Sequence, residues 1–350
     1  MSDTTSFGLA RAHPIPAVIG VRTHLSIAEQ VALAFFVYIT LAAFVFHLAA
    51  RDLGLIVTLN TVTLTTLMAL RRYRQRAPWL AGAAYLFPAL LILVAYRESG
   101  LLLTPDPTHR LDYLFIQWDR ALLQSQFVQA VLQAGAPWLQ HYLELAYLLC
   151  YPLVPLGVAA VHFAAQRGAN GVLSSNGMDN VTPPSWRHLP AGCRRYSRSV
   201  VPAFCGHSEP AAARGKRAMD DFWAAVLLAT LFCYAVYPLF PLTPPRVLFG
   251  DVPGPQVEPL LRKWNFWLLD HYSVQACLFP SGHVAAVTAV ALSVRKHAPR
   301  LGAMFLFLAA SVALATVYGR YHYAADAVAG ALVGVAAYVA SNAIRHRVIR

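Results

Sequence analysis

The chain has 350 residues, of which 57% are hydrophobic and only 13% carry a charged side chain. A soluble domain carries about 25% charged residues, so the composition excludes an ordinary soluble protein and indicates an integral membrane protein. The net charge of +12 does not indicate nucleic-acid binding. The basic residues lie in short clusters between apolar runs, and no basic helix or nucleic-acid-binding module is present.

Several stretches of the chain are long and apolar enough, or nearly so, to cross a bilayer, which takes about 20 residues. In chain order they are 26–50, 53–70, 78–97, 139–165, 222–242, 282–295, 301–319 and 323–344. The sequence therefore predicts an all-α fold class, a polytopic membrane helical bundle of about eight transmembrane helices.

The basic residues predict the orientation of this bundle. If the N-terminus is cytoplasmic, 20 of the 28 Lys and Arg residues fall on the cytoplasmic side, as the positive-inside rule requires. We expect residues 1–25 to be a cytoplasmic N-terminal tail and 26–350 to be the membrane domain. Within that domain, 167–219 is rich in Gly, Ser, Pro, Asn and Arg without apolar periodicity, which predicts a basic, disordered cytoplasmic insertion.

The segment 99–138 interleaves aromatic side chains with Asp112, Asp119 and Arg120. Such a pattern is typical of helices that lie in the outer membrane interface. The simpler interpretation is an aromatic anchor that takes no part in chemistry.

Three polar clusters interrupt the apolar C-terminal half, and the predicted topology places all of them at helix ends on the outer side. Ionisable groups at membrane depth are costly and usually line a cavity or a site. The first cluster, 240–246, has the sequence Phe-Pro-Leu-Thr-Pro-Pro-Arg. Its prolines end the fifth span and present Arg246, whose guanidinium can bind two phosphate oxygens, although an interfacial anchor would use the same residues.

The second cluster, Phe-Pro-Ser-Gly-His at 279–283, immediately precedes the sixth span. Ser281 is predicted to be the N-cap of that helix. The N–H groups of a helix start attract an anion, and Gly282 lacks a Cβ that would keep the anion at a distance. His283 would then lie within reach of a bound phosphate ester, unless the motif is only a capped helix.

The third cluster, Tyr-Gly-Arg-Tyr-His-Tyr-Ala-Ala-Asp at 318–326, separates the last two spans. Gly319 suits the residue just past a helix end. His322 and Asp326 are four residues apart, so on one helix face the carboxylate can accept a hydrogen bond from one ring nitrogen and leave the other unprotonated. A His-Asp pair that only stabilises helix packing is the alternative.

Taken together, the clusters supply two arginines, a helix N-terminus, an oriented histidine and a second histidine. Phosphoryl transfer depends on such positioning and charge stabilisation. The sequence therefore predicts that His322 is a nucleophile toward phosphorus and that His283 is an acid/base.

The order of these residues resembles the type 2 phosphatidic acid phosphatase superfamily of membrane lipid phosphatases and phosphotransferases. The resemblance covers 236–330 well and the rest only by its helical pattern. It implies a six-helix-type catalytic core in which His283 is the general acid, His322 forms a phosphohistidine and Asp326 orients His322. Arg246, Ser281 and Arg320 match the positions that bind phosphate in the family. Gly282, at the helix start beside Ser281, is expected to contact the phosphate as well.

Two departures from the phosphatase pattern point to one branch of the superfamily. Phosphatase members have a lysine where Leu239 stands and an arginine where Thr316 stands. The Pro-Pro-Arg and Arg-Tyr-His-Tyr forms are more similar to the branch that contains inositol phosphorylceramide synthases. That branch transfers a phospho-alcohol headgroup between lipids.

We expect an enzyme that acts on lipid phosphates in the plasma (inner) membrane, and the predicted topology places its site on the extracytoplasmic side. We expect no cofactor and no metal, because the arginines and the helix dipole supply the charge stabilisation that a metal supplies elsewhere. The five cysteines show neither disulfide nor metal-ligand spacing. The expected partners are the bilayer, a lipid phosphate substrate, and water or an alcohol such as inositol as acceptor, with no nucleic acid. The alternatives are headgroup transfer of the inositolphosphotransferase type, a non-catalytic protein that binds or transports anionic lipids, and a soluble vanadate haloperoxidase, which the spans disfavour.

Overall fold

The computed structural model describes residues 25–103, 110–123, 137–175, 211–248, 260–274 and 276–349. These residues form an all-α bundle with one pair of two-residue strands, which confirms the predicted fold class. The helices are α1 (Ile27–Val45), α2 (Ala50–Tyr73), α3 (Pro78–Leu101), α4 (Arg110–Leu123), α5 (Pro137–Leu148), α6 (Cys150–Ser175), α7 (Ala211–Val236), α8 (Pro245–Leu248), α9 (Leu260–Tyr272), α10 (Gly282–His297), α11 (Pro299–Tyr318) and α12 (Ala324–Ile349). The predicted tail, except for its last residue, and most of the predicted insertion lie outside the described residues.

Helices occupy all eight predicted spans, but fewer than eight are long enough to cross a membrane alone. Among the described residues six helices are long and apolar enough, and the bent pair α5–α6 would be a seventh. The eighth, α10, has 16 residues, or about 24 Å at 1.5 Å per residue, against a hydrocarbon core of about 30 Å. The number, length and apolar character of these helices show that the chain is an integral membrane protein.

Helix α10 is the centre of the bundle and contacts α6, α7, α11 and α12. Its inner faces consist of small residues, which allow close helix packing. Gly330 and Gly334 of α12 lie one turn apart, and a Cβ on either would come within 2.5–2.7 Å of a backbone carbonyl oxygen of α10 or of its N-cap. This small-xxx-small contact brings the helix backbones together as in other membrane bundles.

The fourth predicted span is bent by 61° between α5 and α6. Pro152 lies in the first turn of α6, where the missing N–H costs no intrahelical hydrogen bond. Because of the bend, α5 packs against α9 and α11 rather than continuing the line of α6.

Two features connect the ends of the elements. Strands β1 (Pro241–Leu242) and β2 (Cys277–Leu278) pair antiparallel and bring the first two polar clusters side by side. At the opposite end of the bundle, Asp221 of α7 forms ion pairs with Lys296 of α10, at 3.0 Å, and with Arg345 of α12. The strand pair thus joins the chain after α7 to the chain before α10 at one end of the bundle. The ion pairs of Asp221 join α7, α10 and α12 at the other end.

Candidate active site

A cavity of about 670 Å³ lies at the end of the bundle where α10 and α12 begin. Four residues of the predicted site line it, namely Arg246, Gly282, His283 and His322. The remaining lining is mostly apolar and tyrosine-rich and comes from α3, α5, α6, α7 and α9. Its volume lies within the range of about 300–1,000 Å³ that is typical of small-molecule sites.

His322 is buried and is oriented by a carboxylate. Its Nδ1 lies 3.4 Å from Oδ2 of Asp326, a long hydrogen bond between residues four apart in the chain. His322 itself precedes α12, which begins at Ala324, so the pair does not share a helix face, contrary to the sequence prediction. Because a carboxylate only accepts, this contact places the ring proton on Nδ1 and leaves the lone pair on Nε2. The same Oδ2 accepts the backbone N–H of Tyr323 at 3.1 Å, so the carboxylate itself is held in place.

His283 lies on the other side of the same space. The ring centroids of His283 and His322 are 5.9 Å apart at an interplanar angle of 67°. The rings of Tyr147 and Tyr151 lie 5.9 and 5.7 Å from His283 and fix its position. A phosphoryl group in this cavity can therefore face both imidazoles at once.

The chain reaches His322 through a tight helix end. The N–H of Arg320 donates to the carbonyl of Val317, and the N–H of Tyr321 to that of Thr316, which is the Schellman arrangement. The His322 N–H also donates to the Thr316 carbonyl, at 3.0 Å. The backbone of the candidate nucleophile is thus fixed by the end of α11.

Arg320, and not Gly319, adopts the left-handed conformation at this helix end. Arg320 has φ of 60°, whereas Gly319 has φ of −73° and is the C-cap. The glycine is needed for space, because a Cβ at 319 would lie 2.2 Å from the ring of Tyr321. A left-handed conformation costs a non-glycine residue about 1–2 kcal/mol, which locates backbone strain two residues before His322.

The side chain of Arg320 is not among those that line the cavity. Burial, followed by repulsion from Arg262, lowers the pKa of Arg320. Its backbone carbonyl accepts the N–H of Arg246 at 3.0 Å. Arg320 therefore joins the third cluster to the first through its main chain, and its predicted role in phosphate binding stays a prediction.

The second cluster caps α10 as the sequence predicts. The Ser281 hydroxyl accepts the N–H of Val284, and the Ser281 N–H donates to the carbonyl of Asp326 at 3.1 Å. Ser281 is fully buried and does not line the cavity. The Gly282 N–H donates to the hydroxyl of Tyr237 at 3.0 Å, and a Cβ at 282 would lie 2.3 Å from that hydroxyl. The absence of a side chain at Gly282 thus allows its backbone to lie against the hydroxyl of Tyr237.

Helix α4 fixes the three clusters from outside. Asp112 accepts the N–H and the hydroxyl of Thr243 at 2.7 and 2.8 Å, and Asp119 accepts the N–H of Ala325 at 3.2 Å. Between these carboxylates the fully buried Phe115 packs against Phe279 and Tyr323 of the other two clusters. The segment predicted as an anchor therefore contains a helix whose one face holds the site together.

Asp119 should contribute a measurable pH dependence of stability. Burial raises the pKa of the Asp119 carboxyl to about 6, opposed by the N–H groups of Ala324 and Ala325. The unfolded value is about 3.9, so between about pH 4 and pH 6 the folded protein binds more protons and loses stability as the pH rises. We expect the Tm of the wild type to fall more across this window than that of Asp119→Asn, which keeps an oxygen acceptor for Ala325. Thermal unfolding in detergent at pH 4 to 7 measures the difference, and parallel curves would contradict it.

A buried polar network supports the candidate nucleophile from the side of α5. Glu144 accepts from Arg262 at 2.6 Å, from the Asn265 amide at 2.8 Å and from the Tyr321 hydroxyl at 2.6 Å. All four residues are at most 8% exposed. Burial, and then Glu144, raise the pKa of Tyr321, so the phenol stays protonated and donates. The ring of Tyr321 stacks on Tyr147 at 3.9 Å.

Sequence reasoning missed this network and the cavity lining that comes from the N-terminal half. Glu144 is an ionisable residue inside an apolar run, a signal that could have identified it. Its partners Arg262 and Asn265 are more than 110 residues away in the chain, and their pairing has no local signature.

Residues 203–340 match the family model of the PAP2 superfamily. The match supports the resemblance to the type 2 phosphatase superfamily over this segment, which contains all three polar clusters, whereas α1–α6 lie outside it. The chain has no significant match among curated proteins or solved structures.

Proposed function

We propose that this integral membrane protein is a lipid phosphate phosphatase or phosphotransferase that acts through a phosphohistidine intermediate. The observation that carries the proposal is the cavity lined by both His283 and His322, whose ring centroids are 5.9 Å apart, with Asp326 behind His322 and Arg246 in the wall. The similarity to the PAP2 superfamily supports a phosphatase-type activity.

The first half-reaction transfers the phosphoryl group to the protein. Nε2 of His322 attacks phosphorus while the bond from phosphorus to the alcohol oxygen breaks. His283 gives its proton to the departing alcohol, and Asp326 stabilises the positive charge that develops on His322. Arg246 binds the phosphoryl oxygens, where charge is greatest in the transition state.

The second half-reaction regenerates the protein. His283, now neutral, takes a proton from water or from an acceptor hydroxyl whose oxygen attacks phosphorus. The bond from phosphorus to Nε2 then breaks, and either inorganic phosphate or a new phosphate ester leaves.

Headgroup transfer, as in the inositol phosphorylceramide synthase-like branch, is the second candidate. At the two positions where phosphatases have a lysine and an arginine, this chain has the uncharged Leu239 and Thr316. Leu239 is 58% exposed on the outside of the bundle, and Thr316 is fully buried. The Thr316 hydroxyl donates to the carbonyl of Ala313 at 2.7 Å. A site with fewer cations suits a phosphodiester better than it suits a phosphate monoester.

We further propose the orientation that the basic residues favour. Arg71, Arg74, Lys216, Lys296 and Arg345 lie at helix ends opposite the candidate site. By the positive-inside rule this end is cytoplasmic, so the cavity faces the extracytoplasmic side of the plasma (inner) membrane. The tail 1–25 and the insertion 167–219 then lie in the cytoplasm, and lipid enters the cavity from the outer leaflet.

The test is an assay of the purified protein in detergent with phosphatidic acid and a polyprenyl diphosphate, with chelator present. We expect release of inorganic phosphate that the chelator does not abolish. Phosphatidylinositol as donor with a lipid alcohol as acceptor tests the second candidate, which predicts a new inositol-containing lipid without release of inorganic phosphate. Lipid binding without any turnover would overturn both proposals and favour a protein that only binds or transports anionic lipids.

A further inference from the structure

The cavity carries an excess of positive charge that the three polar clusters do not account for. The described residues in its wall include two arginines, Arg97 and Arg246, but no aspartate or glutamate. Most of the remaining wall is apolar or tyrosine. Cations in such surroundings are costly unless an anion accompanies them, so the wall is complementary to an anionic ligand.

Arg97 comes from the last turns of α3, outside the segment that matches the PAP2 superfamily. Its guanidinium forms no hydrogen bond or ion pair with any residue that the structure describes. The side chain is exposed and also lines the cavity, so it lies where the cavity opens. A guanidinium in this position is available to a ligand from the moment the ligand enters.

The end of α3 that carries Arg97 is held in place by its neighbours. The hydroxyl of Tyr96 accepts the N–H of Val274 at 2.9 Å. A Cβ on Gly100 would lie 2.6 Å from the Val274 side chain, so the helix end and the segment after α9 are in close contact. Tyr96 and Val274 themselves line the cavity, which gives Arg97 a fixed base beside the site.

We propose that Arg97 is a substrate-binding residue that, with Arg246, holds a headgroup carrying two or more negative charges. Two guanidinium groups match the charge of a lipid phosphate monoester or diphosphate, whereas a phosphodiester carries a single charge. This inference rests on the proposed function for the identity of the ligand as a lipid phosphate. Within that function, Arg97 favours monoester or diphosphate substrates over the diesters that headgroup transfer requires.

The test compares Arg97→Gln with Arg51→Gln, an exposed arginine at the same end of the bundle that does not line the cavity. For phosphatidic acid we expect Arg97→Gln to raise KM about tenfold with little change in kcat, since a charged hydrogen bond lost equally from ground and transition states affects binding alone. Arg97→Lys should recover part of the loss. Arg51→Gln should behave as the wild type.

Binding measured without turnover separates this inference from the proposed function. Affinities for phosphatidic acid or phosphatidylinositol in mixed detergent micelles are measured for the wild type and both Arg97 variants. A loss in Arg97→Gln that is larger for phosphatidic acid supports the inference, even if the wild type proves inactive and the proposed function fails. Equal affinities of wild type and Arg97→Gln for both lipids, or equal losses for both, would overturn it. If Arg97→Gln does not fold, reduced selectivity of Arg97→Lys for phosphatidic acid supports the inference, and wild-type selectivity in that variant counts against it.

Discussion

Replacing His322 with alanine should lower kcat for lipid phosphates by at least about 10⁴-fold, because the atom that attacks phosphorus is removed. His283→Ala removes proton transfer only, and general acid–base catalysis contributes about 10²- to 10⁴-fold, so this variant should keep traces of activity. Phosphate release under single-turnover and steady-state conditions measures both losses. The acid-labile label that wild type acquires from a ³²P-lipid should be absent from His322→Ala.

The matched control is His271→Ala, an exposed histidine of α9 that does not line the cavity. It should retain wild-type kcat, KM and labelling. If His322→Ala is folded and turns over lipid phosphates at a rate near that of the control, the phosphohistidine mechanism is wrong.

Replacing Glu144 with leucine should strongly destabilise the protein. The variant leaves Arg262 buried without its carboxylate partner and removes the acceptor of the Tyr321 hydroxyl. Asn265 loses its hydrogen bond to the Glu144 carboxylate and keeps the one to the Glu144 main-chain carbonyl. Breaking a buried ion pair by removing one partner costs about 3–5 kcal/mol, which corresponds to a fall in Tm on the order of 5–10 °C. Activity should fall as well, because Tyr321 directly precedes His322 in the chain.

Glu29→Leu is the comparison for this prediction, since Glu29 pairs with Arg71 at 2.5 Å at the opposite end of the bundle and both side chains are more exposed than those of Glu144 and Arg262. The double variant Glu144→Leu/Arg262→Leu removes both buried charges and should recover part of the lost stability. Thermal unfolding in detergent compares all three. A Tm of Glu144→Leu no lower than that of Glu29→Leu would contradict the role of the network.

The departure at Arg320 shows where local sequence signals mislead. Glycine is the usual residue in the left-handed position after a helix, so the Gly-Arg pair at 319–320 predicts that Gly319 adopts it. The observed order is reversed, since Arg320 has the positive φ and Gly319 does not. The glycine at 319 is required by packing, because a Cβ there would overlap the ring of Tyr321.

The fold class, the positions of the membrane helices and the Ser281 cap could all be predicted from the amino-acid sequence, whereas α9 was not predicted. These features follow from apolar length, proline positions and capping residues, which act within a few residues of each other in the chain. The bend after α5, the buried network around Glu144 and the entry of Arg97 into the cavity are visible only in the folded bundle. Each of them depends on which helices pack together, and the packed residues can be more than 100 positions apart in the chain. Such pairing is set by the close fit of side chains, which leaves no local pattern in the sequence.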